Sequence, residues 1–210
     1  MSSREFRERL IKRARRAELI VPLEVVDPFE SYVRLLVRWN KKLNLTALPL
    51  ENPTDLAIDR LLVEPLAAAR HIPDGAEVWF DLGSGGGSPA IPLKIARPSL
   101  RLTMVESKVR KAAFLSDAVR LLSLTDAVVE NTRFEELAGR FERGPAQVVT
   151  VRAVKANASL FESAGRLLNA GGRLLLFGGL DGRVPSAEFA QVASDSLGVG
   201  PVYLKILERR

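Results

Sequence analysis

The chain has 210 residues, 47% hydrophobic and 27% charged, with 31 Lys and Arg against 25 Asp and Glu. It has no cysteine and a single histidine, His71, which excludes disulfides, thiolate zinc sites, iron–sulfur clusters, cysteine nucleophiles and any multi-histidine metal site. Such a chain makes one domain, or one domain with an extension, and buries a core without covalent staples; its net charge of +6 and isoelectric point near 10 favour a polyanionic partner.

The first twenty residues are charged throughout, and no apolar run approaches the roughly 18 residues of a membrane helix. The expectation is a cytoplasmic protein with no membrane contact. Phe6, Leu10, Ala14 and Ala17 recur at helical spacing among seven basic residues. Asp27-Pro28-Phe29-Glu30 reads as a helix start, with Asp27 as cap and Pro28 in the first position. The helix it opens places Phe29, Tyr32 or Val33, Leu36 and Trp39 on one side. Asn52-Pro53-Thr54-Asp55 reads as a second cap, for a helix that Pro65 should bend or end.

From about residue 75 the pattern changes. Short apolar runs at 77–82, 101–106, 127–131, 147–151, 173–177 and 202–207 alternate with helical stretches near 90–97, 108–122, 134–140, 157–169 and 185–196. That alternation means a largely parallel sheet covered on both faces. The turn Ile72-Pro73-Asp74-Gly75 divides a helical extension, 1–71, from an α/β domain, 72–210.

The most informative stretch is Asp81-Leu82-Gly83-Ser84-Gly85-Gly86-Gly87-Ser88-Pro89. A strand runs into a glycine turn where a ligand approaches the backbone closely, and a helix follows. The next strand ends in Glu106-Ser107, and an acid there accepts hydrogen bonds from ribose hydroxyls. A dinucleotide fingerprint would want glycine where Ser88 stands. With Asp81 before the first glycine to hold an ammonium, the pattern suits S-adenosylmethionine better than a dinucleotide.

Four stretches together resemble a known family. They are this loop, Glu106-Ser107-Lys108-Val109-Arg110-Lys111, Arg133-Phe134-Glu135-Glu136-Leu137, and Trp39-Asn40-Lys41-Lys42-Leu43-Asn44-Leu45-Thr46. In order, over about residues 29–177, they are similar to the bacterial small-subunit rRNA guanine-N7 methyltransferases, the RsmG or glucose-inhibited division protein B family. The resemblance implies a class I S-adenosylmethionine-dependent methyltransferase fold, Rossmann-like, with a mostly parallel seven-stranded sheet and an N-terminal helical extension. It implies that Gly83, Gly85 and Ser88 line the methionine end of the cofactor, that Glu106 takes the ribose with Ser107 adjacent, and that Phe134 and Glu135 flank the adenine. Arg152 matches the family's arginine at the cofactor and target site, the candidate catalytic residue. The implied partner is 16S rRNA or the small ribosomal subunit, met by a monomer without metal.

The chain also departs from the family pattern. Ser88-Pro89-Ala90 stands where Phe-Pro-Gly or Leu-Pro-Gly is usual, and Phe177-Gly178-Gly179 lacks a lysine often found there. The short segment after Gly179 suggests a reduced antiparallel strand. The chemistry suits the composition: guanine N7 carries a free lone pair, so no general base is needed. Arg34, Arg38, Lys41 and Lys42 are candidate RNA contacts or a solvated helix face. Lys94, Arg97, Lys108, Arg110 and Lys111 are candidate phosphate contacts, and the arginine-rich start is another. Glu106 is otherwise a helix cap, Arg152 an edge ion pair, Asn40, Asn44 and Thr46 turn-formers, and Trp39 and Phe29 core. The rival functions are methylation of a small molecule or protein, and a non-catalytic module docked on ribosomal particles.

Overall fold

The structure, a computed structural model, describes residues 1–51, 53–142, 144–178, 186–199 and 203–210. Asn52, Gly179 and Val202, which figure in the sequence reading, lie outside these. The described residues build a seven-stranded sheet in the order β3-β2-β1-β4-β5-β7-β6. Its strands are β1 (Val78–Leu82), β2 (Arg101–Val105), β3 (Ala127–Glu130), β4 (Ala146–Arg152), β5 (Leu168–Phe177), β6 (Phe189–Asp195) and β7 (Leu204–Arg209). The first five run parallel, and β7 is antiparallel to both β5 and β6.

Both faces are buried, which is why the strands read as almost continuous apolar runs. Trp79, Met104, Val148, Leu175 and Ile206 face one core; Phe80, Val105, Val149, Leu174 and Leu207 face the other. The first core is closed by α1 (Ser3–Arg16), α2 (Leu23–Asn40), α5 (Ala90–Ala96) and α6 (Val109–Leu121); the second by α7 (Phe134–Ala138) and α8 (Ala158–Leu167). Between α2 and β1 lie α3 (Asp55–Ile58) and α4 (Glu64–Ala68), joined by a π-helical turn, Asp59–Val63.

Helix α1 starts on Ser2, whose hydroxyl accepts the Glu5 N–H, and buries Phe6, Leu10 and Ala14 as the periodicity requires. Helix α2 corrects the sequence reading. It begins at Leu23, not at Pro28, which sits inside it. Val25 and Val26 continue the buried stripe of Phe29, Tyr32, Val33 and Leu36 backwards, so packing carries the helix past a proline that removes one donor near its start.

Pro65 likewise does not end its helix. Thr54 caps α3 by accepting the Ala57 N–H, and the ladder then widens: the Glu64 N–H reaches back to the Asp59 carbonyl, an i to i+5 bond. The Arg60 carbonyl would next receive an N–H from residue 65, and a proline has none. That carbonyl is left for partners from elsewhere.

Within the stretch read as helix over 185–196, whose first residue lies outside the described ones, Phe189–Asp195 is strand β6, paired with β7. Both final antiparallel strands are present, seven and six residues long. β5 also starts at Leu168, earlier than the apolar run at 173. No helix among the described residues is long and apolar enough to cross a membrane.

Candidate active site

The glycine loop leaves β1 and is tied to the tip of β2. The N–H groups of Gly83 and Ser84 both donate to the Val105 carbonyl, at 2.9 and 3.1 Å. Gly83 and Gly85 have φ of 73° and 51°, in the region glycine adopts without steric cost. Glu106, 6% exposed, accepts the Gly85 N–H on Oε2 at 2.9 Å and the Lys108 N–H on Oε1 at 2.8 Å. It thus braces the turn that leads into α6 and holds the loop at once, and each oxygen keeps lone-pair capacity for a further donor. Tyr32 of α2 donates its hydroxyl to the Gly86 carbonyl at 2.7 Å.

Two hollows open at this edge and meet at Gly83 and Glu106. The larger, about 780 Å³, runs toward the helical front and takes in Gly85, Ser88, Lys111, Arg152 and the 44–48 loop. The smaller, about 340 Å³, is lined by Ser107, Phe134, Glu135 and Val154. Residues singled out in the sequence from four separate stretches thus surround one continuous edge. An S-adenosyl group fits their chemistry: apolar Phe134 and Val154 with carboxylates on the small side, a bare backbone on the large side. A Cβ at Gly85 would meet only the Gly83 carbonyl, at 3.7 Å, and otherwise project into open space.

Asp81 is not on that lining. It is 1% exposed beneath the loop, opposite Thr150 in the β1–β4 register. Trp79 Nε1 donates to Thr150 Oγ1 at 2.8 Å, and that hydroxyl donates to Asp81 Oδ1 at 2.5 Å. Burial pushes the carboxyl up to about 6, against the lowering effect of the Ser84 and Thr150 hydrogen bonds.

Arg152 ends β4 on the same face as Thr150, and its guanidinium carbon lies 4.5 Å from the ring centroid of Phe177, its register partner. Nη2 donates to Glu64 Oε2 at 2.8 Å, and Nη1 donates to the Arg60 carbonyl freed by Pro65. Ser88 Oγ donates to the carbonyls of Arg60 and Leu61 at 3.3 and 3.2 Å, so the serine at 88 seals the π turn. Burial depresses the Arg152 pKa to about 10, opposed by Glu64. Glu64, fully buried, is raised by desolvation, opposed by Arg152 and Arg60. Sequence reasoning missed Glu64. The available signal was an acid inside the apolar run Leu61-Leu62-Val63-Glu64-Pro65-Leu66-Ala67.

The basic residues divide. Arg110, Lys108 and Lys42 are exposed, and Lys111 lines the cleft. Lys41 pairs with Glu51 at 3.3 Å. Arg34 is held by Glu30 at 2.5 Å, and with Arg38 it lines a separate groove between α1 and α2. Lys94 is a correction: it is 1% exposed, and its ammonium donates to the carbonyls of Pro98 and Leu100. It ties down the turn between α5 and β2 and is out of reach of a phosphate. Arg13, from the basic start, is equally committed, forked onto buried Asp59. Asn40 accepts the N–H groups of Leu45 and Thr46 and donates to the Thr46 carbonyl, so it folds the lip of the cleft. Trp39, half-buried, packs edge-on against Phe114 at the margin of the core and donates to Asp117.

Comparison with known proteins adds an independent finding. A family profile described as rRNA small subunit methyltransferase G matches residues 26–194. The chain is 42% identical over 153 residues to the ribosomal RNA small subunit methyltransferase G of Xanthomonas axonopodis pv. citri (strain 306), covering 73% of this chain and 68% of that protein. It is 40% identical over 170 residues to the protein of the same name from Stenotrophomonas maltophilia (strain K279a), covering 80% and 74%. Among solved structures, a mutant of MtNAS in complex with S-adenosylmethionine superposes with a TM-score of 0.56 at 13% identity, over 84% of this chain and 72% of that one, a likeness of fold.

Proposed function

The chain belongs to the rRNA small subunit methyltransferase G family, S-adenosylmethionine-dependent enzymes, and from that premise we propose that it methylates N7 of a guanosine in 16S rRNA, in the cytoplasm and as a monomer. The observation that carries this reading is the continuous edge: a small hollow with an aromatic wall, a glycine loop, and a larger cleft ending at Arg152.

The cofactor supplies an electrophilic methyl group on a sulfonium sulfur. The protein has no proton to remove from N7, because the lone pair is already free. Its work is placement. In this reading Glu106 accepts the ribose hydroxyls with the oxygens that brace the loop, and Ser107 stands beside it. Phe134 and Glu135 flank the adenine. Gly83, Gly85 and Ser88 border the methionine end, and the carboxylate of Asp81 beneath the loop favours the ammonium there. Arg152 donates to guanine O6 or to a phosphate; on N7 it would block attack. Lys108, Arg110 and Lys111, with Arg34, Arg38, Lys41 and Lys42 of the helical front, meet RNA phosphates, which position without reading sequence.

The test is transfer of labelled methyl from S-adenosylmethionine to small-subunit particles lacking the modification, followed by borohydride–aniline cleavage, which breaks RNA at N7-methylguanosine. One new cleavage is the expected result. Label without cleavage refutes N7 as the acceptor atom. No label refutes this activity on the particle.

A further inference from the structure

The Arg152 guanidinium is fixed on three sides. Phe177 lies against its face at 4.5 Å, the Arg60 carbonyl takes Nη1, and Glu64 takes Nη2 at 2.8 Å. Among these partners only Glu64 carries the opposite charge. It reaches the sheet edge from α4, in the helical front, and has no exposed surface. Arg60 approaches the same Glu64 oxygen at 3.8 Å, so one carboxylate stands between two cations.

The pair is incompletely satisfied. Glu64 Oε1 and Arg152 Nε are both buried without a hydrogen-bond partner among the described residues. The contact is therefore end-on, one oxygen to one terminal nitrogen, and not the two-bond fork that arginine and carboxylate form when geometry is free. A buried ion pair with orphaned atoms is a poor source of stability, and an apolar residue would suit a position whose neighbours in the chain, Leu61, Leu62, Val63 and Ala67, are all buried. What the end-on contact does achieve is orientation. It pulls one corner of the guanidinium toward the helical front while the ring of Phe177 sets its plane.

We infer that Glu64 is a positioning residue for Arg152: from the helical front it holds the guanidinium at the wall of the cleft where the acceptor base enters. The inference rests on the reading of that cleft as the site of methyl transfer. Glu64 touches neither cofactor nor base and acts through Arg152 alone. Without its charge Arg152 faces Arg60 with no anion between them and leaves the stacked position.

The experiment compares the wild type, Glu64→Gln, Glu64→Asp, Arg152→Ala and the Glu64→Gln/Arg152→Ala double variant, with the methyl-transfer assay on small-subunit particles, calorimetric binding of S-adenosylmethionine, and thermal melts. Misplacement of a positioning group by about 1 Å costs on the order of a hundredfold in rate. The expectation for Glu64→Gln is therefore a fall in kcat of at least about tenfold, with cofactor affinity within about twofold of wild type. Glu64→Asp, which keeps the charge at shorter reach, recovers part of the rate and serves where the glutamine variant does not fold. In the Arg152→Ala background Glu64→Gln changes kcat by less than about twofold, since the group it positions is gone. Wild-type kcat in both Glu64 variants overturns the inference, as does a loss that adds in full to that of Arg152→Ala. If Arg152→Ala itself turns over like wild type, the assignment of the cleft falls and the inference with it; a slow Arg152→Ala beside a wild-type-like Glu64→Gln defeats the inference alone.

Discussion

Asp81→Asn is expected to stabilise the protein above pH 6 and to leave it unchanged near pH 4. The Asp81 carboxyl is 1% exposed and receives the Thr150 hydroxyl, which in turn is held by Trp79. Burial raises its pKa from 3.8 to about 6, although the hydrogen bonds from Ser84 and Thr150 and the charge of Arg152 pull it down; the charge of Glu106 adds to the rise. The unfolded chain titrates at the lower value. Between pH 4 and 6 the folded protein therefore holds a proton that the unfolded chain has lost, and stability falls as pH rises through that window. A displacement of about two pH units, at about 1.4 kcal/mol each, makes the ionised group about 3 kcal/mol less favourable at pH 7. With an unfolding entropy of about 2.1 cal/mol/K per residue, or about 440 cal/mol/K for 210 residues, that is about 7 °C in Tm. An asparagine keeps an acceptor for Thr150 and is neutral throughout. Melts of both proteins without cofactor, from pH 4 to pH 8, should show a gap opening from near zero to about 7 °C. A gap of the same size at every pH would refute the buried, ionisable carboxyl as its source.

Gly83→Ala combines a φ of 73° with a Cβ only 2.6 Å from Val154 Cγ2; it should cost about 1–3 kcal/mol of stability and weaken cofactor binding, read by melting and calorimetry. Asn40→Ala removes three hydrogen bonds from the 44–46 segment; a loss of about 1–3 kcal/mol is expected, with proteolysis now cutting near residue 45. Lys94→Met should leave the salt dependence of RNA binding unchanged, because its ammonium is spent on Pro98 and Leu100, whereas Lys111→Met should reduce that slope by about one. Equal slopes for the two variants would remove Lys111 from the RNA surface.

Much of this was legible in the chain because of burial on both sides of the sheet. Successive residues of β1 and β4 pack into opposite cores, so the strands announce themselves as nearly continuous apolar runs. Strand β6 did not. Its Ala190, Gln191 and Ala193 have helical propensity, and as an edge strand it has several exposed residues; only pairing with β7 makes it extended. The prolines misled for a related reason. Pro28 and Pro65 are local breakers, and both are overridden by tertiary contacts, the first by the Val25–Phe29 stripe and the second by partners brought to the Arg60 carbonyl. The turn at Gly83 and Gly85 was readable because backbone at positive φ needs glycine at particular spacing. Glu64 was not, because its meaning depends on Arg152, 88 positions away. The same distance effect hid Arg13, whose partner Asp59 lies 46 positions away, whereas Lys94 is spent on carbonyls only four and six positions on, which no side-chain pattern announces.

The π turn at Asp59–Val63 sets the phase between two interlocked surfaces. Each residue of an α-helix advances the face by about 100°, so one residue more or fewer between Asp59 and Glu64 would rotate one against the other by more than a quarter turn. As built, Asp59 meets Arg13 of α1 while Glu64 meets Arg152 of β4. A one-residue deletion that regularised the helix would keep its length of apolar sequence and yet let only one of those two locks close. The wide turn is thus a gear tooth between the N-terminal helix and the edge of the sheet, and insertions or deletions there should be tolerated far less well than substitutions.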